Sequence, residues 1–363
     1  MNIVKFENLR QESKITFLNG LLSLYKFKSI LWELKFLKLP ILAFYKYHYS
    51  NKKYKSILLF SKPKIKKRIE DECLFHIVNQ SPQEYDNIVF IRSGLGETYL
   101  LNIYLKQILE SLNIELENTC FIGLRDTFKE IFHQYNPNVI YKKIDLNWDY
   151  LCLSCDKQKY QYNGKNIYFY IEKNYIYNLM NNYKNSTNNT HFVSNICNFF
   201  NINKNSAQIA KYVPSISERD KAITYLYKNN ININNFIFIS KNAISIENFS
   251  DAFWNDLEHY LKLKGYDIVY NQNEFSITEA KVIASYSKAI IALRSGFLET
   301  LSELDKKFYI LNTALTMNNI NAERIKKLYS LKFYPNVKQE NIFEYDNETM
   351  DENEILLDIL KGV

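Results

Sequence analysis

From residue 85 onward, short apolar runs alternate with segments of helical periodicity, and this alternation constrains the fold more than any other feature. NIVFI (87–91) leads through a glycine-containing turn into YLLNIYLKQILESL (99–112), whose Leu and Ile recur at helical spacing. NTCFIGL (118–124) leads into RDTFKEIFHQY (125–135), and NVIYKKI (138–144) and NIYFYI (166–171) read as further strands. SISERDKAITYLYKN (215–229) reads as a linking helix capped by Ser215. A second set opens with the strand NFIFIS (235–240). SDAFWNDLEHYLKLKG (250–265) follows as an amphipathic helix, with Ser250 as its cap and Gly265 at its end. YDIVYN (266–271), AIIAL (289–293) and KFYIL (307–311) are then strands, with ITEAKVIASYS (277–287) and FLETLSEL (297–304) as the helices between them. Apolar runs this short, separated by helices, suit parallel strands covered on both faces.

Two such sets in a chain of 363 residues predict an α/β protein of two Rossmann-like, doubly wound domains facing a cleft. The expected divisions are a basic amphipathic helical extension over 1–84, a first domain over 85–214, a second over 215–340 and a C-terminal helix over 341–363. Ligands of such sheets bind beyond the carboxyl ends of the strands, which points to the cleft.

The net charge of +7 hides an asymmetry. Residues 1–68 carry 16 Lys or Arg against three acids, Glu7, Glu12 and Glu33, while the rest of the chain is acidic on balance. The same segment is rich in Leu, Phe, Tyr and Trp32, but lysines at 26, 28, 35, 38 and 46 interrupt every window long enough to span a bilayer. An amphipathic helix or helix pair with snorkelling lysines fits an anionic membrane surface, contacted through residues 17–68. Each basic residue near such a surface contributes about 1 kcal/mol. The plainer alternative is a helical cap on the first domain with solvated lysines. No nucleic-acid-binding module accompanies the basic stretch, so nucleic acid is not expected as a partner.

Two of only eight glycines fall in IRSGLGETYLL (91–101), on the strand-to-helix turn. Backbone amides are exposed at a helix start, and glycine permits close approach by a ligand. Ser93, Gly94, Gly96 and Thr98 are therefore candidate substrate-binding residues, with Glu97 at the mouth of the helix. A second turn has the same form: the strand AIIAL, then Arg294-Ser295-Gly296, then a helix carrying Glu299. Arg294 suits bidentate pairing with a diphosphate, or alternatively a structural ion pair, and Ser295 and the Gly296 amide add donors. Glu299 suits two ribose hydroxyls or, more plainly, complements the helix dipole.

Other chemistries fit less well. Neither turn completes G-x-G-x-x-G, because position 99 is Tyr, which disfavours a dehydrogenase. Neither His133 nor His191 stands in a motif that would pair it with a Ser or Cys nucleophile. The five cysteines include a lone C-x-x-C, Cys152 and Cys155, without the further ligands a structural zinc site needs. An odd count without a secretory signal suits a reducing compartment. NST (185–187) and NNT (188–190) match the glycosylation pattern in an Asn-rich background and are read as chance.

GLGET (94–98) followed by YLLNIYL resembles the G-x-G-D-x-x-x-x-x-P-x-L opening turn of the heptosyltransferase-like glycosyltransferases of family nine, which have the GT-B fold. Residues 235–311 resemble the nucleotide-binding half of that family, where a Ser/Gly turn opens a helix beside the nucleotide-sugar. The RSG turn is also similar to that of related cell-surface polysaccharide transferases. The departures are specific. Glu97 stands where the family has Asp, the following Pro is missing, and a Lys-Arg-Trp-Pro segment is absent, with Lys241 and Phe253-Trp254 nearby. The family's His after the second turn is missing, and Glu299 stands near its place.

The resemblance implies a metal-independent, inverting transfer of a sugar from a nucleotide-sugar to a cell-surface glycan or lipid-linked acceptor, on the cytoplasmic side of the membrane. It implies no cofactor and no metal, since no DxD signature occurs. In that chemistry Glu97 would be the general base, while Arg294, Lys241 and the amides after Gly296 would stabilise the departing nucleoside diphosphate. The alternative is a non-catalytic scaffold or activator of the same fold, docked to a membrane partner.

Overall fold

The computed structural model describes residues 4–9, 12–17, 22–27, 31–36, 39–50, 53–59, 62–91, 94–146, 155, 157–170, 191–206, 212–243, 246–271, 275–314, 321–335 and 337–363. The chain divides into two compact units: one of residues 1–90 with 143–174, the other of 91–142 with 175–363.

The first unit begins with six strands: β1 (Val4–Leu9), β2 (Glu12–Phe17), β3 (Leu22–Phe27), β4 (Leu31–Phe36), β5 (Leu39–Ser50) and β6 (Lys53–Leu59). They pair antiparallel in chain order. This corrects the expectation of an amphipathic helical extension. The Phe, Tyr, Trp and Ile that suggested a membrane-facing helix are also the residues that favour strands, and short connections let each strand pair with the next. A register shift at Leu34/Lys35 lies where Pro40, which has no amide hydrogen, sits opposite Lys35. Among the described residues of 1–84, the helix Lys62–Gln80 realises the helical expectation.

That helix buries Ile69, Cys73, Leu74, Ile77 and Val78. Strand β7 (Asn87–Ile91) pairs parallel with β11 (Lys165–Phe169), which forms an antiparallel hairpin with β10 (Lys159–Tyr162). Asn163 and Gly164 supply the positive φ angles, 47° and 76°, that a two-residue hairpin turn requires. Lys165 Nζ donates to the carbonyls of Gln83 and Tyr85, tying the hairpin to the approach to β7.

The second unit contains β8 (Thr119–Gly123) and β9 (Ile140–Lys143), and a five-stranded parallel sheet. The sheet consists of β12 (Phe236–Ser240), β13 (Asp267–Tyr270), β14 (Ala289–Leu293), β15 (Lys307–Asn312) and β16 (Ile342–Asp346). Its spatial order is β13-β12-β14-β15-β16. Numbered from its own first strand this is 2-1-3-4-5, a doubly wound order whose switch point lies between β12 and β14. The strand β16, not read from the sequence, precedes the C-terminal helix Glu352–Gly362.

One face of this sheet packs Ile237, Ile239, Ile291, Leu293 and Leu311 against Phe253, Trp254, Leu257 and Leu261 of the helix Asp251–Leu263. Ile355 and Ile359 of the C-terminal helix join the same core. Each such fully buried side chain contributes about 1.5–3 kcal/mol, so this layer fixes the sheet that carries the second turn. Ser215 and Ser250 each cap a helix as their sequence positions suggest, Ser276 caps the helix Ile277–Tyr286 in the same way, and Gly265 takes φ +82° just past the helix Asp251–Leu263.

The long helix expected over 99–112 is two helices, Leu95–Ile103 and Leu105–Leu112, broken at Tyr104. Tyr104 is fully buried, and its hydroxyl donates to the Lys204 carbonyl at 2.8 Å. Among the described residues no helix is long and apolar enough to cross a membrane.

Candidate functional site

The first turn ends at Gly94, which is the N-cap of the helix Leu95–Ile103 in an extended conformation (φ −84°, ψ −172°). Glycine has no side chain with which to cap, and the helix compensates from the other direction. The partly buried Glu97 carboxylate turns back to accept from the amides of Gly94 and of Glu97 itself, half of a capping box. Thr98 is used by the same turn: its hydroxyl donates to the Gly94 carbonyl at 2.8 Å. Ser93 lies outside the described residues, as does Cys152 of the C-x-x-C pair, while Cys155 is buried.

In the second turn Ser295 is the N-cap of the helix Gly296–Leu301, and its hydroxyl accepts from the Leu298 amide at 3.4 Å. Arg294 leaves the end of β14 and is 5% exposed, and Glu299 is 4% exposed. Arg294 Nη2 donates to Glu299 Oε1 at 2.6 Å, Nε to the Tyr329 carbonyl at 2.8 Å and Nη1 to the Ser295 carbonyl at 2.9 Å. Its guanidinium also lies over the Tyr329 ring. Of the two roles the sequence left open for Arg294, the geometry displays the ion pair.

The two turns touch. A Cβ on Gly96 would overlap the Glu299 carboxylate, and one on Gly296 would lie 2.8 Å from the Gly96 amide nitrogen. Both glycines are required by this contact, and the turns meet face to face with the backbones in van der Waals range. Glu97, Gly94, Gly96, Arg294, Ser295, Gly296 and Glu299 are thereby gathered at one place. Lys241 is not: it follows β12 at the switch point and lies over the Tyr270 ring, with Glu258 as a charge neighbour.

Electrostatics follow from burial. The Glu97 carboxyl is pushed up to about 7, first by burial and then by the charge of Glu299, against the opposing pull of the two amides and Arg294. Tyr334, fully buried and aimed at Glu299, is raised well above the usual phenol range, again by burial first. Among the described residues Glu299 Oε2 is buried without a hydrogen-bond partner, while its Oε1 is held by Arg294.

Sequence reasoning missed the layer beneath. Tyr99 stacks on Tyr334 at 6.4 Å and meets Tyr135 edge-on at 5.7 Å, and the Ser302 hydroxyl donates to Tyr99 at 3.3 Å. Beside them Lys281, 1% exposed, pairs with Glu303 and donates to the Tyr135 hydroxyl, with its ammonium also over the Tyr212 ring. Burial pulls the Lys281 ammonium below its ordinary range, and the Glu303 charge opposes that. A signal existed for Lys281, since it shares the apolar helix face with Ile277, Ala280 and Ala284. None existed for Tyr334, whose place is set by tertiary packing alone.

Among the described residues no group of three His, Cys, Asp or Glu is placed to hold a metal ion. His191 is buried with both ring nitrogens used: Nδ1 accepts from the Val193 amide, and Nε2 lies 2.8 Å from the Ser330 carbonyl. Burial lowers it to about 3, so the ring is neutral and structural.

No protein-family profile matches the chain, and no curated protein sequence matches it. Solved structures do. The fold is similar to that of a family 9 glycosyl transferase from Veillonella parvula, with 12% identity and a TM-score of 0.44, covering 78% of this chain and 93% of that one. It is also similar to the E. coli heptosyltransferase WaaC solved with ADP, at 8% identity and a TM-score of 0.42, covering 76% of this chain and 100% of that one. A third is the E. coli ADP-heptose lipopolysaccharide heptosyltransferase II, at 10% identity and a TM-score of 0.40, covering 76% and 98%.

Proposed function

We propose that the protein is a glycosyltransferase that moves a sugar from a nucleotide-sugar donor to a glycan or lipid-linked acceptor, with inversion and without a metal. The observation that carries this reading is the pairing of two strand-to-helix turns, one bearing a carboxylate held near neutrality and the other lying at the switch point of a 2-1-3-4-5 sheet. A base that removes a proton from an attacking hydroxyl works best when its pKa is near the working pH, and Glu97 at about 7 meets that condition.

In this reading residues 85–214 serve the acceptor and 215–340 the donor. Lys241 and the Ser295–Gly296 helix start stand at the carboxyl ends of β12 and β14, where the leaving nucleoside diphosphate develops charge. Arg294 joins them by exchanging Glu299 for phosphate, and Glu299, released, accepts the ribose hydroxyls. The basic segment over 17–68 contacts the inner face of an anionic membrane, where a lipid-linked acceptor resides.

The commitment of Arg294 to Glu299, and the contact between the turns, favour a second reading: a non-catalytic scaffold or activator of the same fold. A melting series with ADP, GDP, UDP and CDP, each with and without Mg²⁺, separates the two. A ligand at 100 times its Kd adds about 2.7 kcal/mol to stability, which shifts the melting temperature visibly. Metal-independent stabilisation by one nucleotide, with turnover lost in Glu97→Gln, supports the transferase. No shift with any of the four, together with an unaltered partner-dependent function in Glu97→Gln, supports the scaffold.

A further inference from the structure

Lys241 stands apart from the two turns, and its surroundings differ from those of Arg294. The strands β12 and β13 are parallel neighbours with Ile239 beside Tyr270, so both end at the same edge of the sheet. Asn271 closes that edge: its amide donates to the Ile239 carbonyl at 2.7 Å and its Nδ2 to the Ser240 hydroxyl at 3.2 Å. Lys241 follows directly, and its Nζ lies 4.8 Å from the centre of the Tyr270 ring. That ring is fixed at both ends. Its body packs on the core that includes Phe253, Trp254 and Leu257, and its hydroxyl donates to Glu258 Oε2 at 2.6 Å. Glu258 Oε1 in turn accepts from Lys262 at 2.6 Å. Both oxygens of this acid, whose charge reaches Lys241, are therefore engaged by other groups.

A carboxylate partner, such as Glu299 for Arg294, has to be displaced before a phosphate can take its place. An aromatic face holds a cation only through the ring quadrupole, and it leaves N–H donors of the ammonium for an anion. It also restrains a long side chain that would otherwise lose rotamer freedom on binding. We propose that Tyr270 is a positioning residue for Lys241: its anchored ring presents the ammonium at the carboxyl end of β12, as a cation ready for the phosphates of a nucleotide-sugar donor. The proposal deepens the donor half of the function proposed above. It rests on Lys241 meeting phosphate there, not on the chemistry at Glu97.

Inorganic pyrophosphate is the probe. The readout is the Lys241 ε-methylene resonance of the full chain labelled with ¹³C-lysine, assigned by its loss in Lys241→Gln. In the free wild type the ring current should hold these protons upfield of the ordinary lysine position, and pyrophosphate should move them saturably. Tyr270→Leu should abolish the upfield shift and raise the pyrophosphate Kd about three- to fivefold, the worth of one such ring contact. Tyr270→Phe keeps the ring and loses only the tie to Glu258, so its Kd should stay within about twofold of the wild type. A wild-type resonance at the ordinary lysine position overturns the proposal without any variant, so a Tyr270→Leu chain that fails to fold does not shelter it. A Lys241 resonance that pyrophosphate leaves unmoved overturns it too, as does an equal Kd in the wild type and Tyr270→Leu. Glu274, an acid outside the described residues, is tested in the same way. Glu274→Gln should leave resonance and Kd unchanged, and a larger effect there than in Tyr270→Leu overturns the role of the ring. Pyrophosphate carries no nucleoside or sugar and needs no turnover. Failure here is therefore distinct from failure of the transferase, which the nucleotide series and Glu97→Gln read separately.

Discussion

The two turns share one sequence grammar and do different things with it. In each, a buried strand ends, a glycine follows, and a glutamate stands three residues beyond it: Gly94 and Glu97, Gly296 and Glu299. In the first turn the glycine is the N-cap, so Glu97 falls at the third helical position and its carboxylate reaches back to the helix's own amides. In the second Ser295 is the N-cap, so Glu299 falls one position later, turns away from the amides and pairs with Arg294. A single-residue offset in the cap therefore separates a carboxylate held by backbone from one held by a cation. Spacing from a glycine does not define the role; spacing from the cap does.

The largest expected effect breaks the second turn directly. Arg294→Ala strands Glu299 as an unpaired buried carboxylate and should cost about 3–5 kcal/mol in denaturant unfolding at neutral pH. Glu97→Gln should act with the opposite sign. Its folded value of about 7 lies above the ordinary 4.5, so the native state keeps a proton that the unfolded chain has lost, and stability falls as pH rises from about 4.5 through about 7. Above that window the ionised group burdens the fold, and Gln relieves it. After discounting for partial exposure, Glu97→Gln should stabilise by about 2 kcal/mol at pH 8 and by nearly nothing at pH 4. A loss of stability in Glu97→Gln at pH 8 would make the two turns alike and remove the contrast.

That contrast was only half legible in the sequence. The strands AIIAL, FIFI within β12 and FYIL within β15 are continuous apolar runs because both faces of a parallel sheet are covered, which makes them readable without any partner in view. The caps Ser215 and Ser250 are local and were equally readable. The first 59 residues were not, because aromatic residues interleaved with Lys satisfy a membrane-surface helix and a six-stranded meander about equally, and only strand pairing decides. At the site, Arg294, Glu299 and the glycines stand out as residue types. The contact that joins positions 96 and 299, and the arrival of Tyr334 beneath it, depend on packing between segments some 200 residues apart in sequence, which no local pattern encodes.

The glycines sharpen the comparison at a smaller scale. Gly96→Ala forces the Glu299 carboxylate off its position while Arg294 resists, and should cost about 1–3 kcal/mol. Gly94→Ala meets only the far end of the flexible Glu97 side chain, at 2.7 Å, in a backbone conformation any residue adopts. Its cost should be below about 1 kcal/mol, and its visible consequence should be a changed Glu97 midpoint in a carboxyl ¹³C NMR titration. Equal destabilisation by the two substitutions would mean that the turns do not meet in solution as they do here.

The smallest effect concerns the cap that creates the offset. Ser295 accepts from Leu298 at 3.4 Å, near the limit of a hydrogen bond, so Ser295→Ala should cost only about 0.5 kcal/mol. Ser295→Gly should cost a few tenths and would give the second turn the N-cap residue that the first one has. If position within the helix dictates each carboxylate's partner, Glu299 still stands at its fourth helical residue in both variants and keeps Arg294. The pair should then survive, seen as an undiminished penalty when Arg294→Ala is added to Ser295→Gly. A penalty that collapses would mean that the serine side chain, and not the register of the helix, directs Glu299 to Arg294.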